Sequence, residues 1–365
     1  MKILHLFFSL FALLAICSCS TNTKTQQAKQ NIRPVVDTVG FAHLDWQMDS
    51  IVSRISTQFG EELAETAQPE NTVWRTAICP HDDYAYAGWL YPAVLKNLKA
   101  KTLIIFGVAH KARNFQLENQ LVFDSFDAWQ GPYGTVKVSP IREQLMEKMP
   151  DEYYVVHDSM QLVEQSIESM IPFLQHQNKA TEIVSVLVPY MEKGRMNSIA
   201  ESFAAALKDI TSTQQLEWGK DIALLITTDA VHYGCEEWGG NNYARFGCDS
   251  IGYEKAMEYE HEIIANCFTG DLSNDKTDQF INYTVQADNF KEYKWTWCGR
   301  YSVPMGLKVA NRFQQLTNAA SLEGIPLAYE TTISHPEIPV QDLKMGKTAI
   351  ATTKHWVGLA AIGFK

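Results

Sequence analysis

This chain has no surplus of positive charge. Its 31 Lys and Arg stand against 42 Asp and Glu, a formal net charge of −11 at pH 7. A nucleic-acid backbone is thereby excluded as a partner on electrostatic grounds, because no basic excess is available to displace its counterions. No internal repeat, low-complexity tract or Pro/Gly-rich linker divides residues 36–365, which argues against several domains. Cysteine is scarce, seven in 365 residues, so a small disulfide-built scaffold is excluded as well. A hydrophobic share of 46% with 20% charged residues is what a globular protein with a substantial core requires.

The amino end differs from the rest. Lys2 supplies a short positive start, and ILHLFFSLFALLAI (3–16) is an apolar run too short for a comfortable membrane span. CSCS (17–20) follows. The pattern resembles a bacterial lipoprotein signal at 1–19, with small Ser18 before the cut and Cys19 carrying lipid. An ordinary secretory signal is the alternative. Residues 20–35 are polar at first, lack an apolar period, and read as a flexible tether to a domain at 36–365. Export would make the protein a lipid-anchored, periplasm-facing one whose membrane partner is reached through Cys19.

Beyond the signal five cysteines remain: Cys79, Cys235, Cys248, Cys267 and Cys298. An odd number in an exported protein leaves at least one free, metal-bound or paired between chains. Cys298 is the candidate, and pairings among the other four stay open.

Strand patterns at 72–79, 101–108, 152–157, 182–190, 221–228, 325–333, 347–353 and 355–364 alternate with helical ones at 46–67, 88–100, 160–176, 195–209, 251–266 and 302–317. The last strand reads as an edge or closing strand. Alternation predicts an α/β fold: a single domain with a central mixed, mostly parallel sheet flanked by helices. Ligands in such sheets collect at the carboxyl ends of strands.

His81 and His110 both fall immediately after strand candidates. Alone, a histidine at a strand end is more often a hydrogen-bonded structural residue than a ligand, but the repetition favours a site. Asp229 and His232 follow the strand at 221–228, three apart across a turn, as an acid/base pair or as ligand and orienter. An Asp capping the next helix is the plainer reading of that pair. Cys298 precedes Gly299, Arg300 and a helical stretch. A thiol near a helix start and an arginine is expected to have a lowered pKa; a buried small hydrophobe is the default alternative. Two imidazoles and a thiolate form an incomplete coordination sphere, the arrangement metal chemistry needs. Cys79, two residues from His81, would then be an extra soft ligand, a disulfide partner of Cys298, or simple packing beneath the site.

The ordered set PHDDYAYAG (80–88), GVAH (107–110), QSIESMIPFL (165–174), TTDAVHYG (227–234) and CGR (298–300) resembles the Memo family, labelled AmmeMemoRadiSam system protein B in bacteria and archaea. That family shows PHAGYxYSG, GPxH or GVSH, HSxExHLPFL, SSDxxHxG and CG[RK]. WQGPYGTVKV (129–138) resembles its TPLG segment, and 33–43 its opening. The resemblance implies a fold similar to class III extradiol dioxygenases and a metal held by His81, His110 and Cys298, with Fe(II) or copper favoured and zinc a further option. The family's Asp and His match Asp229 and His232, read here as the acid/base residues; Tyr84, Tyr86 and Glu168 are expected to line the pocket, with Glu168 and Tyr84 as further catalytic candidates. The chain departs from the family where Asp82 and Asp83 replace Ala-Gly, Gln165 replaces a histidine, and Met170 or its neighbour Ile171 replaces another. The leading expectation is a metal-dependent redox enzyme acting on a small molecule. A non-catalytic copper- or iron-binding lipoprotein and a Cys298–His232 hydrolase are the alternatives.

Overall fold

A computed structural model describes residues 30–235 and 243–365. The signal-like segment 1–19, its Cys19, and tether residues 20–29 lie outside the described residues. Residues 31–365 make one compact α/β unit. The tether ends earlier than position 35: Ile32–Arg33 is already a strand, and Arg33 is fully buried.

The described strands, in chain order, are β1 Ile32–Arg33, β2 Thr76–Cys79, β3 Thr102–Val108, β4 Leu121–Phe123, β5 Ala128–Gly131, β6 Gly134–Val138 and β7 Tyr154–Val156. Then come β8 Glu182–Val188, β9 Ile222–Thr227, β10 His232–Gly234, β11 Gly270–Asp271, β12 Glu323–Thr331 and β13 His355–Phe364. They join in one mixed sheet of order β1-β5-β6-β8-β3-β9-β2-β13-β12-β11, with β10 on β13 and β4 bridging β7 and β8. The run β6-β8-β3-β9-β2 at its centre is parallel, and antiparallel pairs flank it.

The central strands read as unbroken apolar runs because both of their faces are covered. Leu103 and Ile105 of β3 point into one core with Val94, Leu174 and Met48, while Ile104 and Phe106 point into the other with Phe203, Leu207 and Val309. Helices Lys193–Gln214 and Ser302–Thr317 cover the second face; Leu90–Leu95, Ile171–Gln177 and Asp45–Gln58 cover the first.

Three of the differences from the sequence expectation have a visible reason. The segment 347–353 has strand composition but is a loop. Its Thr348 N–H goes to Asp83 Oδ2 at 2.5 Å and its Ala351 N–H to the Tyr86 hydroxyl at 3.0 Å, so no ladder forms. The stretch 160–176 is not one helix. Glu164 folds back to accept the N–H groups of Gln165 and Ser166, breaking it into Asp158–Gln161 and Ile171–Gln177 with a tight turn between. Finally, β13 is an interior strand, paired with β2 on one side and β12 on the other.

The order β3-β9-β2 matters most. Three adjacent parallel strands end side by side, at Val108, Thr227 and Cys79. The residues just past those ends are His110, Asp229 and His81.

Candidate metal centre

His81 leaves the end of β2 in a turn fixed by Asp229, whose Oδ1 accepts the His81 backbone N–H at 2.9 Å. The His81 Nδ1 lies 3.2 Å from Thr227 Oγ1, which leaves Nε2 facing inward. That Nε2 is 3.4 Å from Cys298 Sγ and 3.4 Å from Asp229 Oδ2. His110, at the end of β3, is gripped by Glu164: Oε2 takes its backbone N–H at 2.7 Å and Oε1 meets Nδ1 at 3.0 Å. The two imidazole rings stand edge to face, with centroids 5.2 Å apart.

Cys298 arrives from the far side. Residues 295–298 lie against 229–232 through the Val231–Trp297 bridge, the His232 N–H to Thr296 carbonyl bond of 3.0 Å, and the Thr296 hydroxyl to His232 carbonyl bond of 2.6 Å. Glu260, fully buried, clamps the same two segments by accepting from Trp295 Nε1, Trp297 Nε1, the Val231 N–H and the Tyr329 hydroxyl. Gly299 is required by close approach: a Cβ there would sit 2.2 Å from Thr228 Oγ1, which accepts the Gly299 N–H. The Asp229 N–H points at Cys298 Sγ from 3.1 Å.

The ligand atoms of His81, His110 and Cys298 all lie within 4.8 Å of one another, and so do those of Asp229, His232 and Cys298. In a tetrahedral site with ordinary metal–nitrogen and metal–sulfur bonds, N and S ligands sit roughly 3.3–3.8 Å apart. The 3.4 Å between His81 Nε2 and Cys298 Sγ fits that spacing. Each donor also has the outer partner that holds metal ligands in place: Thr227 for His81, Glu164 for His110, the Asp229 amide for Cys298.

Electrostatics separate the two histidines. Burial holds His81 well below the usual imidazole range, helped by His110 and His232, so it is neutral and able to coordinate. Burial, the largest single effect, opposes charge on His110 too, but the Glu164 carboxylate and the Cys298 side chain together outweigh it and lift that imidazole well above its ordinary value. Burial presses His232 down to about 3 and raises Asp229 to about 7. Asp82 is pushed well up by burial, then by Asp229 and Asp83.

Cys298 corrects an expectation. Its thiol is raised rather than lowered: burial dominates, and Asp229 adds to it against the hydrogen bond from His110. Arg300 does not help, because its side chain stacks on Tyr293 at 3.4 Å and donates to the Lys291 carbonyl at 2.9 Å.

A cavity of about 270 Å³ opens over these groups, lined by His81, His110, Asp229 and His232 on the floor and by Phe41, Tyr86, Val163 and Ile350 on the walls. Two residues expected to line it do not. The Tyr84 hydroxyl donates to the Ser169 carbonyl at 2.6 Å and its ring packs on Phe41, Tyr91 and Phe173. Glu168 is paired with buried Arg33 at 2.5 Å and accepts the Val36 and Asp37 N–H groups, so it clamps the amino-terminal segment. Tyr86 does line the cavity, bonded to the loop at Ala349 and Ala351. Glu164 was not among the expected site residues; sequence spacing gives no signal for it, because it lies in a stretch with helical periodicity. Asp229 caps no helix; both of its oxygens serve His81.

Cys235 and Cys248 form a disulfide, leaving Cys79, Cys267 and Cys298 as free, buried thiols. Cys79 packs in the core beneath the site.

A family profile described as Memo-like protein matches residues 48–336. Among curated relatives, a MEMO1 family protein of Aquifex aeolicus is 26% identical over 165 residues, covering 44% of this chain and 54% of its own length. One from Pyrobaculum arsenaticum is 24% identical over 198 residues, covering 51% and 64%. One from Thermococcus kodakarensis is 23% identical over 251 residues, covering 67% and 77%. The chain thus spans between about half and two thirds of the length of the first two relatives.

Proposed function

The chain belongs to the Memo-like protein family, and from that premise we propose that it is a metal-dependent redox protein acting on a small molecule. One observation carries the reading. Three donors of suitable chemistry come from separate parts of the chain to within 4.8 Å, and two of them, His81 and His110, line a cavity. Two imidazoles and one thiolate suit Fe(II) or copper, with zinc as the redox-inert alternative. When bound, such a metal supplies Lewis acidity and, for iron or copper, electron transfer.

The protein's own residues do the rest. Glu164 fixes His110 with Nε2 free, and Thr227 does the same for His81. Asp229, with a pKa of about 7, stands ready to take or give a proton at neutral pH beside His81 Nε2. His232 remains neutral there, and its burial makes it a weak base. Phe41, Tyr86 and Ile350 give the cavity apolar walls.

The hydrolase reading fares worse. A nucleophilic cysteine needs a lowered pKa, and burial raises that of Cys298. For export, the Cys235–Cys248 disulfide supports a location in an oxidising compartment. We place the protein there, lipid-anchored at Cys19 and facing the periplasm.

The test is inductively coupled plasma mass spectrometry on tag-free protein, paired with oxygen uptake in the presence of reductant. The reading expects about one metal per chain, lost in His81→Ala and Cys298→Ser, and uptake that falls in Asp229→Asn with metal retained. Metal bound without any uptake supports the non-catalytic binding protein instead.

A further inference from the structure

Acidic side chains outnumber lysines in the cavity lining. Asp37, Asp82, Asp83, Glu164 and Asp229 line it, against Lys111 at its rim. Glu164 is matched by His110, and the nearby Lys347 is engaged by Glu337 at 2.7 Å. Of the rest, Asp229 faces His81 Nε2 at 3.4 Å, while Asp37, Asp82 and Asp83 are in no ion pair among the described residues.

Asp37 and Asp83 are the sharpest part of this excess. Asp37 is only 4% exposed, and its Oδ1 caps the turn by accepting the Val39 and Gly40 N–H groups. Its Oδ2 is buried with no hydrogen-bond partner. A buried, unpaired carboxylate oxygen is costly, and it marks a missing donor. Asp83 approaches the same spot: a Cβ on Gly40 would lie 2.0 Å from Asp83 Oδ1 and 3.5 Å from Asp37 Oδ2. The absence of a side chain at Gly40 is what allows both carboxylates to converge.

We propose that Asp37 and Asp83 form a subsite for the ammonium group of a primary amine, whose apolar body lies along Phe41, Tyr86 and Ile350 toward His81 and His110. This rests on the reading of the cavity as a small-molecule site and names the substrate class. An ammonium donates three hydrogen bonds, one of which would supply the donor that Asp37 Oδ2 lacks, and the aromatic ring of Phe41 favours a cation beside it. A hard divalent ion fits less well, since calcium takes six to eight oxygen ligands and this corner offers two carboxylates, one of which is already bonded to Thr348. Ile350, 62% exposed, and Val163, 40% exposed, give the mouth an apolar rim suited to the body of such a molecule. The cavity admits a ring with a short tail rather than a polymer.

The experiment is isothermal titration calorimetry of 2-phenylethylamine, 2-phenylethanol and 3-phenylpropanoate against the full protein, metal-loaded and after stripping with EDTA. Saturable amine binding is expected, with the alcohol about tenfold weaker or worse and the carboxylate weaker still. Asp37→Asn keeps the turn-capping oxygen and converts Oδ2 into a donor, so it should lower amine affinity about tenfold and leave the alcohol unchanged. Gly40→Ala should have the same effect by steric closure. Equal binding of amine and alcohol, no saturable binding, or amine affinity untouched by both substitutions overturns the proposal. So does saturable calcium binding that displaces the amine. Amine preference that persists in stripped protein and in Cys298→Ser shows the subsite independently of the metal. Metal binding without amine preference sinks this proposal alone.

Discussion

The Glu164 carboxylate holds His110 at two points, its backbone N–H at 2.7 Å and its Nδ1 at 3.0 Å. One carboxylate therefore sets both the position of the residue and the nitrogen it offers to the cavity. Outer partners of this kind are worth about 10–100-fold in metal affinity. Glu164→Gln should weaken metal binding by that factor while leaving the donor set complete, which competition with a chromophoric chelator would measure. Unchanged affinity would show that His110 needs no orienting partner.

Arg33 and Glu168 behave as a fold clamp. Both are buried and paired at 2.5 Å, and Arg33 also donates to the Gln161 and Glu164 carbonyls. Removing one partner of a buried pair costs about 3–5 kcal/mol. Arg33→Ala should lose roughly that much in urea unfolding, and Glu168→Gln should destabilise the chain without abolishing metal binding. A variant of Glu168 with normal stability and no turnover would return that residue to the site.

In the metal-free protein, Asp229 and His232 make opposed contributions to the pH response. Asp229 has its pKa raised from 3.8 to about 7, so the folded chain keeps a proton that the unfolded chain has released. Its contribution is therefore full at low pH and is lost as pH rises toward 7. His232, lowered from 6.5 to about 3, works the other way: the unfolded chain takes up a proton that the folded one refuses, so stability falls with acid below about 6.5. Asp229→Asn removes only the first slope. The melting temperature of the variant relative to wild type should climb between about pH 4 and pH 7 and level off above that. A constant difference would mean that Asp229 is ionised throughout.

The loop at 347–351 is tied to the short helix beneath it by Tyr86, whose hydroxyl donates to Ala349 and accepts the Ala351 N–H at 3.0 Å. Tyr86→Phe deletes both bonds and little else. Amide exchange at Ala351 should speed up by about tenfold while that of β3 stays as slow as in wild type.

The sequence made the strand ends legible because buried parallel strands are continuous apolar runs, and His81, His110 and Asp229 follow three of them. What local pattern cannot register is where a side chain turns. Tyr84 and Glu168 belong to the same motifs as His81 and Ser166, yet a one-turn helix and a tight turn point them away from the cavity. Glu164 escaped for the opposite reason: its helical periodicity is broken only by the hydrogen bonds it makes itself. The 347–353 segment has the composition of a strand, and nothing within it announces that Asp83 and Tyr86 occupy its N–H groups. Burial likewise decided the thiol of Cys298, overriding the neighbouring arginine that the sequence places two residues away.

The central claim is that His81, His110 and Cys298 hold one metal together. Extended X-ray fine structure at the metal edge of tag-free protein tests it most directly. The account predicts one sulfur neighbour at about 2.3 Å and imidazole nitrogens at about 2.0–2.1 Å, with the sulfur lost in Cys298→Ser. A shell of oxygen and nitrogen alone in wild type, or a sulfur that survives the substitution, would contradict it.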